Sequence, residues 1–559
     1  MDNIKVFALG GLDENGRDCY VVEINNDIFV IDAGASLPDK TLPGIDFILP
    51  NPDYLIKNKT RVKAYLITHG HDESIGALKY FYDLAPAPIY CTFVTSGILK
   101  TQASIHHIKT NFQFKIVNAS DTQIIAGHTV HFFQTCHNMA YSCGIAIETD
   151  RGNIVYTGDF IVDYTISEPG YAFDLNKLSI IAEKPTLLLI AESKTAMRSG
   201  YCSPKHRIRK VIEKYFRDNK RIFITSFWQN FYRIQEIAQL CRDYKKKVYF
   251  YDEYTRNTIE QFNSYLPLFD KVEIVSPSDL LRVRAQDTVV LILGHDITLY
   301  SEINNLCQGK NEDKRLSLTK DDIFICSALP IPTMEIANTR SIDNLYRTGC
   351  EVVQFKGKEV ISMHAQQDDL RLMLTLLKPK YYLPNRGSYR NIMANAKLAL
   401  STGVGLTHMS VFVIDNGMQV VFEGEGRPRI VPNEVNGINV APLLVDGRGL
   451  TNINTDVVEE RKKLGVDGAV VVAAVVSKSK GEIIAGPDCQ MRGFVYVKEA
   501  EPLLKSISNI FVDEINTAIK AGTFDVKKVQ EIVADRATKF VRRENGREPY
   551  ILPIITIVD

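Results

Sequence analysis

The hydrophobic positions of the first 204 residues fall in short runs that are separated by glycine-rich turns. Runs of this length with flanking turn residues predict β-strands at 6–10, 19–24, 27–32, 62–67, 114–117, 128–133, 144–148 and 153–156. A helical pattern occupies residues 75–84. We therefore expect a β-rich first region.

The pattern changes at about residue 205, where helical and apolar stretches begin to alternate. Helices at 208–216 and 232–244 alternate with strands at 221–225, 248–251, 288–293, 322–327 and 351–354. This alternation predicts a parallel sheet with helices on both faces. A helix at 370–377 and strands at 381–383, 411–414 and 419–422 could rejoin the first region, which would make the parallel unit an insertion.

The last part of the chain begins with a stretch rich in Gly, Pro and Asn, residues 423–454, which predicts a linker. Strands follow at 469–476, 482–484 and 551–558, with amphipathic helices at 503–521 and 526–543. These elements predict a compact α+β terminal domain, and its size is typical of an independent unit. The fold class of the whole chain is α/β.

Composition restricts the possible functions. The chain has 559 residues and equal numbers of basic and acidic residues, 66 of each, so a polyanion site requires a local basic patch. Its longest apolar run, 469–476, is much shorter than the ~18–20 residues that cross a bilayer, and we expect no membrane contact. The ten cysteines form no CxxC pair, which is typical of reduced cytoplasmic proteins.

Histidines and one aspartate suggest a metal site. His69 and His71 follow a predicted strand with only Gly70 between them, and His137 and Asp159 come later, each near a strand end. Three imidazoles and a carboxylate suit Zn²⁺, or Mn²⁺ if more oxygen ligands join. The HxH pair alone is more often two unrelated loop histidines, but the later ligands in this order favour the metal site.

This order of motifs, HxH, then His137, then Thr157-Gly158-Asp159, resembles the metallo-β-lactamase fold. Further motifs resemble the β-CASP branch and, within it, the ribonuclease J family over the whole chain. They are Ala191-Glu192-Ser193, Ser362-Met363-His364-Ala365, Leu377-Lys-Pro-Lys-Tyr-Tyr-Leu-Pro384 with Arg386-Gly387, Ala485-Gly-Pro-Asp488 and Arg492-Gly-Phe-Val-Tyr496.

The resemblance implies a definite architecture. An αββα sandwich of the metallo-β-lactamase type would comprise residues 1–204 and 365–425, with a β-CASP parallel α/β domain inserted at 205–364. A linker at 426–450 would lead to a small α+β association domain at 451–559.

Departures from the family pattern affect the second of two metal sites. The motif HxHxDH ends here in Glu73 and Ser74, and the late metal-binding His is replaced near Arg386. By resemblance, His69, His71, His137 and Asp159 complete the first site, while the second keeps only Asp159 and Glu73. We expect one Zn or Mn ion per chain. Arg386 could occupy the place of the missing ion, where it would pair with Glu73 or bind a substrate phosphate. Alternatively, Arg386 is an ordinary surface residue.

Two segments are candidates for substrate binding. In the family, a Ser-x-His loop before a helix binds a phosphate group. By resemblance, the phosphate-binding loop of this chain comprises Val360, Ile361, Ser362, Met363 and His364. The bulky side chain of Met363 is expected to weaken phosphate binding. Trp228, Gln229 and Asn230 stand where the family contacts substrate. The indole of Trp228 would stack on a base, or else lie in the core.

The resemblance implies cleavage of single-stranded RNA, 5′-to-3′ and sometimes internally, in rRNA maturation and mRNA decay. Asp159, Glu73 and His364 are the candidate catalytic residues, and weak activity follows from the lost second site. The substitutions resemble those of the second ribonuclease J paralogue in bacteria that carry two. This implies a homo-dimer or tetramer and a hetero-complex with an active paralogue, and it leaves a non-catalytic RNA-binding subunit as the alternative. A small-molecule metallohydrolase is disfavoured, because it leaves the insertion and the terminal domain unexplained.

Overall fold

A computed structural model describes the chain except for residues 39–40, 167, 296, 331–333, 356–358, 448, 451–454 and 495–496. It forms two compact units. The first comprises Met1–Leu37 and Phe47–Leu450, and the second comprises Pro38–Asp46 and Thr451–Asp559. None of the described helices is both long enough and apolar enough to span a membrane.

Strands occur in both units of the described chain. In chain order they are β1 (Ile4–Gly10), β2 (Cys19–Ile24), β3 (Asp27–Ile31), β4 (Phe47–Leu49), β5 (Val62–Leu66), β6 (Ile89–Cys91), β7 (Phe114–Ile116), β8 (Thr122–Ile125), β9 (His128–Gln134), β10 (Cys143–Thr149), β11 (Gly152–Tyr156), β12 (Thr186–Glu192), β13 (Arg221–Phe227), β14 (Lys247–Phe250), β15 (Thr288–Gly294), β16 (Asp322–Cys326), β17 (Glu351–Gln354), β18 (Tyr381–Asn385), β19 (Gln419–Phe422), β20 (Arg429–Val431), β21 (Leu443–Asp446), β22 (Gly449–Leu450), β23 (Ala469–Ser477), β24 (Glu482–Arg492) and β25 (Tyr550–Val558).

The α-helices of the same residues follow in the same order. They are α1 (Asp53–Lys57), α2 (Asp72–Ile75), α3 (Leu78–Phe81), α4 (Phe93–Ile105), α5 (Leu175–Ala182), α6 (Arg209–Phe216), α7 (Phe231–Asp243), α8 (Glu253–Asn263), α9 (Thr298–Cys307), α10 (Glu335–Thr348), α11 (Gln367–Leu377), α12 (Tyr389–Ser401), α13 (Asn433–Asn436), α14 (Thr455–Asp467), α15 (Val497–Lys520) and α16 (Val526–Asn545).

Two sheets pack face to face in the first unit. Described strands form one sheet in the order β20-β19-β1-β2-β3-β5-β6-β7 and the other in the order β18-β12-β11-β10-β9-β8. A buried apolar cluster between them includes Val22 and Ile31 of the first sheet and Ile145 and Ile190 of the second. Alternate residues of each strand point outwards, where α3 and α4 cover the first sheet and α5, α11 and α12 cover the second. The layers are therefore helix, sheet, sheet, helix.

The parallel α/β unit is inserted between two neighbouring strands of the second sheet. β12 pairs with β18 in parallel, with Glu192 opposite Asn385. Between them in the chain, the strands in the order β14-β15-β13-β16-β17 form a separate parallel sheet. All seven residues of β15 are buried, as expected for a parallel strand that is covered on both faces.

Three sequence-based expectations about local structure are wrong. Residues 426–450 are not a linker, because β20 pairs with β19 at the edge of the first sheet and β21 pairs with β4. Residues 411–414 do not form a strand, since only Val411 makes an isolated bridge, to Tyr382. The helix expected at 75–84 is broken into α2, α3 and a 3₁₀ turn.

The second unit is a three-stranded sheet with one face covered by two helices. β23 is central, antiparallel to β24 and parallel to β25. The alternate residues Val470, Val472, Ala474 and Val476 are buried beneath α15 and α16. On the opposite face the side chains of Leu552 and Ile554 are 43% and 40% exposed, so this face is open and apolar.

Candidate metal centre

The ends of several strands place polar side chains together. His69 and His71 lie just after β5, His137 after β9, and Asp159 after β11. Because β11, β12 and β18 are parallel neighbours, their carboxyl ends meet at one edge of the sheet. The loops after β12 and β18 contribute Lys194 and Arg386 to the same edge.

The four residues that the sequence predicts as metal ligands converge. His69, His71, His137 and Asp159 each offer a ligand atom, and these atoms lie within 4.8 Å of one another. His71 Nδ1 is 3.1 Å from His69 Nε2 and 3.4 Å from His137 Nε2, and both of those Nε2 atoms are 3.8 Å from Asp159 Oδ2. These donors and this spacing are suited to binding a metal ion.

The outward nitrogen of each imidazole meets an oxygen acceptor of the protein. His69 Nδ1 is 2.8 Å from Thr68 Oγ1, whose hydroxyl donates to the carboxylate of Asp32. His137 Nδ1 is 3.0 Å from the carbonyl oxygen of Met363, and His71 Nε2 is 3.3 Å from that of Gln229. With the proton on the outward nitrogen, each inward nitrogen keeps a lone pair, and the site fits a metal ion.

Burial favours the protonation states that bind a metal. Burial lowers the pKa of His69 and of His137 well below the usual value, so both rings are neutral at pH 7. Burial alone would raise the pKa of Asp159, but Arg386 and Lys194 outweigh it and hold that pKa well below the usual value. Asp159 is therefore an anion.

Arg386 is a fully buried cation in this cluster. Its guanidinium pairs with Asp159 and Asp18, lies 3.6 Å from Asp32 and donates to Ser74 Oγ at 3.0 Å. Two expectations are therefore wrong: Arg386 is not paired with Glu73, and with a side chain 0% exposed it cannot reach a substrate phosphate. The surface alternative is equally wrong. The guanidinium of Arg386 lies among buried carboxylates, whose negative charge it offsets. It is next to Ser74, which stands where the motif HxHxDH has its last histidine.

One guanidinium does not keep all three neighbouring carboxylates ionised. Burial, assisted by repulsion from Asp159 and Asp32, raises the pKa of Asp18 to about 8 against the attraction of Arg386. Burial also raises the pKa of Asp32 to about 6. At neutral pH Asp18 is therefore protonated, whereas Asp159 is ionised and Asp32 is mostly ionised.

Lys194 is a cation at the site that sequence reasoning missed. Its ammonium is 3.1 Å from Glu73 Oε1 and 3.4 Å from Asp159 Oδ2. These carboxylates outweigh the effect of burial and raise its pKa above the usual value. One signal for Lys194 was available in the sequence, namely a lysine two residues beyond the apolar strand β12. Asp32 has a similar position at the end of a strand. Nothing in the sequence identifies Asp18 as part of the site.

The Ser-x-His loop lies beside the metal ligands, but most of it is buried. The side chains of Val360, Ile361 and Met363 belong to the hydrophobic core, so the predicted phosphate contact of these residues would be made by their backbone. Ser362 is exposed and His364 is 16% exposed. His364 Nδ1 lies 3.0 Å from Glu192 and 3.8 Å from Asp159, which places this ring next to the metal site.

The segment after β13 connects the inserted domain to the metal centre. Gln229 Nε2 donates to Asp72 Oδ2 at 2.8 Å, and His295 Nε2 is 3.1 Å from the same oxygen. Trp228 is 8% exposed and stacks on His295 at 6.2 Å, so little of the indole is available to a base. Asn230 caps α7 by accepting from the Arg233 amide. Asp72 and His295 are further residues that sequence reasoning missed.

Comparison with known proteins gives matches along almost the entire chain. Residues 12–199 match the family model of the metallo-beta-lactamase superfamily, and residues 219–345 match that of the ribonuclease J beta-CASP domain. Residues 456–558 match the model of the ribonuclease J C-terminal domain.

Similar whole proteins cover the same length. Ribonuclease J2 of Bacillus subtilis is 28% identical over 557 residues, 99% of this chain and 98% of that protein. Ribonuclease J 2 of Streptococcus pyogenes serotype M3 is 29% identical over 559 residues, 99% of each. A crystal structure of a protein of unknown function from Enterococcus faecalis covers 75% of this chain and 100% of its own, with a TM-score of 0.52 and 15% identity, which shows a common fold.

Proposed function

Because this chain belongs to the ribonuclease J family, with its metallo-β-lactamase, β-CASP and C-terminal domains, we propose that it is a metal-dependent ribonuclease with one ion per chain. Its substrate is single-stranded RNA, cleaved from the 5′ end and also internally, in rRNA maturation and mRNA decay. Its intrinsic activity is low.

One observation carries this proposal: the convergence of His69, His71, His137 and Asp159, with every outward imidazole nitrogen facing an oxygen. A ligand set that served only the fold would have no need of three aligned lone pairs around a common point. Zn²⁺ fits the donor set, and Mn²⁺ fits it if water or Glu73 adds oxygen ligands.

The bound ion would supply a Lewis acid and lower the pKa of water towards neutrality. Around it, Asp159 and Glu73 accept hydrogen bonds and orient the attacking water, since Glu73 Oε1 lies 3.6 Å from His71 Nδ1. Glu192 accepts a hydrogen bond from His364 Nδ1 and so fixes the orientation of the ring. In the imidazolium form, the opposite ring nitrogen, Nε2, donates to a substrate phosphate. Ser362 is the exposed member of that loop.

The lost second site explains the low activity that we propose. A second ion stabilises charge on attacking and leaving oxygens, and its loss removes several kcal/mol of that stabilisation. Ser74 is a poor replacement for a histidine ligand, and its hydroxyl oxygen already accepts a hydrogen bond from Arg386. The guanidinium of Arg386 has no lone pair to give and repels positive charge.

The test is decay of 5′-monophosphorylated RNA by the purified protein with Mn²⁺. We expect slow decay that is lost in the double variant His69→Ala/His71→Ala. The matched control, His128→Ala/His131→Ala, removes two histidines of β9 that lie outside the ligand set and should decay RNA at the wild-type rate. Equal decay by the wild type and the first double variant would contradict the proposal.

A second candidate function rests on the burial of Arg386 in the place of a ligand. With that cation fixed in the site, the protein would serve as a non-catalytic RNA-binding subunit that stabilises or tunes an active ribonuclease J paralogue. RNA binding without decay, together with faster decay by an added active paralogue, would favour this candidate.

We also infer self-association through the open sheet face of the terminal unit. The exposed Leu552 and Ile554 lie beside Val471 and Ala473, which form a continuous apolar strip across β25 and β23. A second copy would cover it and give a dimer or tetramer, and the same face would serve a hetero-complex. The ten cysteines are free thiols, which is consistent with the cytoplasm.

A further inference from the structure

The carboxylates of a second metal site are present, but a cation of the protein already lies among them. Asp159 Oδ2 faces the histidine ligands, and Glu73 Oε1 lies beside His71. Lys194 Nζ lies 3.4 Å from the first oxygen and 3.1 Å from the second. Two carboxylate oxygens of different residues around one positive centre form the arrangement that an ion between Glu73 and Asp159 would have.

The two cations of the site differ in their access to solvent. The side chain of Arg386 is 0% exposed and pairs with buried groups, Asp18, Asp32, Asp159 and Ser74, so its effect is confined to the protein. The side chain of Lys194 is 14% exposed, and its partner Glu73 is 24% exposed. Lys194 therefore lies between the buried carboxylates and the open side of the centre.

The position of Lys194 also relates it to the substrate loop. Thr195, the next residue, donates from Oγ1 to the carbonyl oxygens of His364 and Ala365 at 3.0 and 2.8 Å. Glu192, two residues earlier, binds the His364 ring. The segment that carries Lys194 is thus fixed to the Ser-x-His loop on both sides.

From this geometry we propose that the centre is a hybrid of one metal ion and one ammonium, in which Lys194 occupies the second ion's position and contacts the scissile phosphate. This inference rests on the proposed ribonuclease function. The ammonium offers three N–H donors, so it can keep one on Glu73 and one on Asp159 and direct the third at a phosphate oxygen. It supplies fixed positive charge where the reaction develops negative charge. The buried guanidinium of Arg386 offsets the negative charge of the carboxylates on the protein side and does not contact substrate.

The first test counts bound Mn²⁺ per chain at equilibrium. We expect one ion in the wild type and in Lys194→Arg, which keeps the charge. Lys194→Met removes the charge at similar length and frees Glu73 and Asp159. We expect a second, more weakly bound ion between these two carboxylates, with water as its remaining ligands, because Arg386 stays beside Asp159 and Ser74. The control Lys397→Met, on the outer helix α12, should bind one. Two ions in the wild type, or the wild-type number in Lys194→Met, would overturn the hybrid centre.

The second test measures RNA decay at a Mn²⁺ concentration that fills only the first site. We expect Lys194→Met to lose about 100-fold in rate, as when one oriented donor to the transition state is removed, and Lys194→Arg to recover most of it. Decay by Lys194→Met at the wild-type rate would overturn the phosphate contact. If the wild type itself fails to decay RNA, the proposed function fails, while the ion count still decides whether Lys194 replaces an ion.

Discussion

At the scale of single residues, the main electrostatic feature is the protonation of Asp18 next to charged neighbours. Asp18 and Asp32 have raised pKa values, about 8 and about 6, while Arg386 and Lys194 hold that of Asp159 low. The charge of Arg386 thus acts mainly on Asp159, the proposed metal ligand. Arg386 stabilises the anionic form of that ligand, and Asp18 takes up the proton.

This distribution predicts a pH dependence of stability. The pKa of Asp18 is raised from an unfolded value of about 3.9, so the folded protein holds a proton that the unfolded chain releases. That contribution is complete below about pH 4 and is lost as the pH rises through about 8. We expect Asp18→Asn, which does not titrate, to gain free energy of unfolding relative to the wild type between pH 6 and pH 8, and no further above it.

Urea unfolding of the metal-free protein at several pH values measures this difference. The exposed Asp415→Asn is the matched control and should show a constant difference from the wild type. A constant difference for Asp18→Asn as well would show that Asp18 is ionised in the folded protein.

The sequence predicts single residues well when their chemistry is rare. The sequence places three histidines and an aspartate near strand ends, and the structure brings these four predicted ligands together. The partners of Arg386 could not be predicted in this way. Asp18 lies in a glycine-rich loop, far from Arg386 in sequence, and only the folded sheets bring them together.

At the scale of elements, the segment from Arg429 to Asp446 shows where hydrophobic patterns fail. β20 is an exposed edge strand of three residues, so it has no alternation of buried and exposed positions to detect. Its Gly- and Pro-rich surroundings favour a linker, yet its backbone pairs with β19. Backbone hydrogen bonds leave no trace in the pattern of side chains, whereas long buried strands such as β15 are evident from sequence.

The short helix α2 carries the main polar connection between the metal loop and the inserted domain. Asp72 accepts hydrogen bonds from Gln102 and Gln229 and pairs with His295. Removal of the carboxylate leaves these donors without that acceptor, at a cost of about 1–3 kcal/mol for a buried group. We expect Asp72→Ala to speed amide hydrogen exchange in residues 227–230.

The exchange experiment has an internal and an external control. Exchange in β23, which belongs to the other compact unit, should be unchanged in Asp72→Ala. Asp83→Ala removes an exposed carboxylate from the same part of the chain and should leave residues 227–230 unaffected. Wild-type exchange there in Asp72→Ala would show that Asp72 does not hold the inserted domain.

At the scale of the whole molecule, the self-association that we propose for the terminal unit makes a direct prediction. Leu552→Lys/Ile554→Lys places two charges on the open face of the sheet without disturbing the buried face beneath α15 and α16. We expect this double variant to have a lower molar mass than the wild type in size-exclusion chromatography with light scattering, because charge on an apolar interface opposes association.

The matched control is Val435→Lys, which charges an apolar side chain that is 75% exposed on α13 in the first unit. It should keep the wild-type mass. A wild type that is monomeric, or a double variant with the wild-type mass, would contradict association through this face.

The insertion between β12 and β18 has a consequence for synthesis. Asp159 is translated 227 residues before Arg386, its buried partner, and the whole parallel domain emerges from the ribosome between them. Until then the edge of β12 that pairs with β18 has no neighbour, and Asp159 lacks the guanidinium of Arg386. The nascent chain therefore cannot complete the candidate metal centre early, and assembly of this centre must wait for translation of the inserted domain.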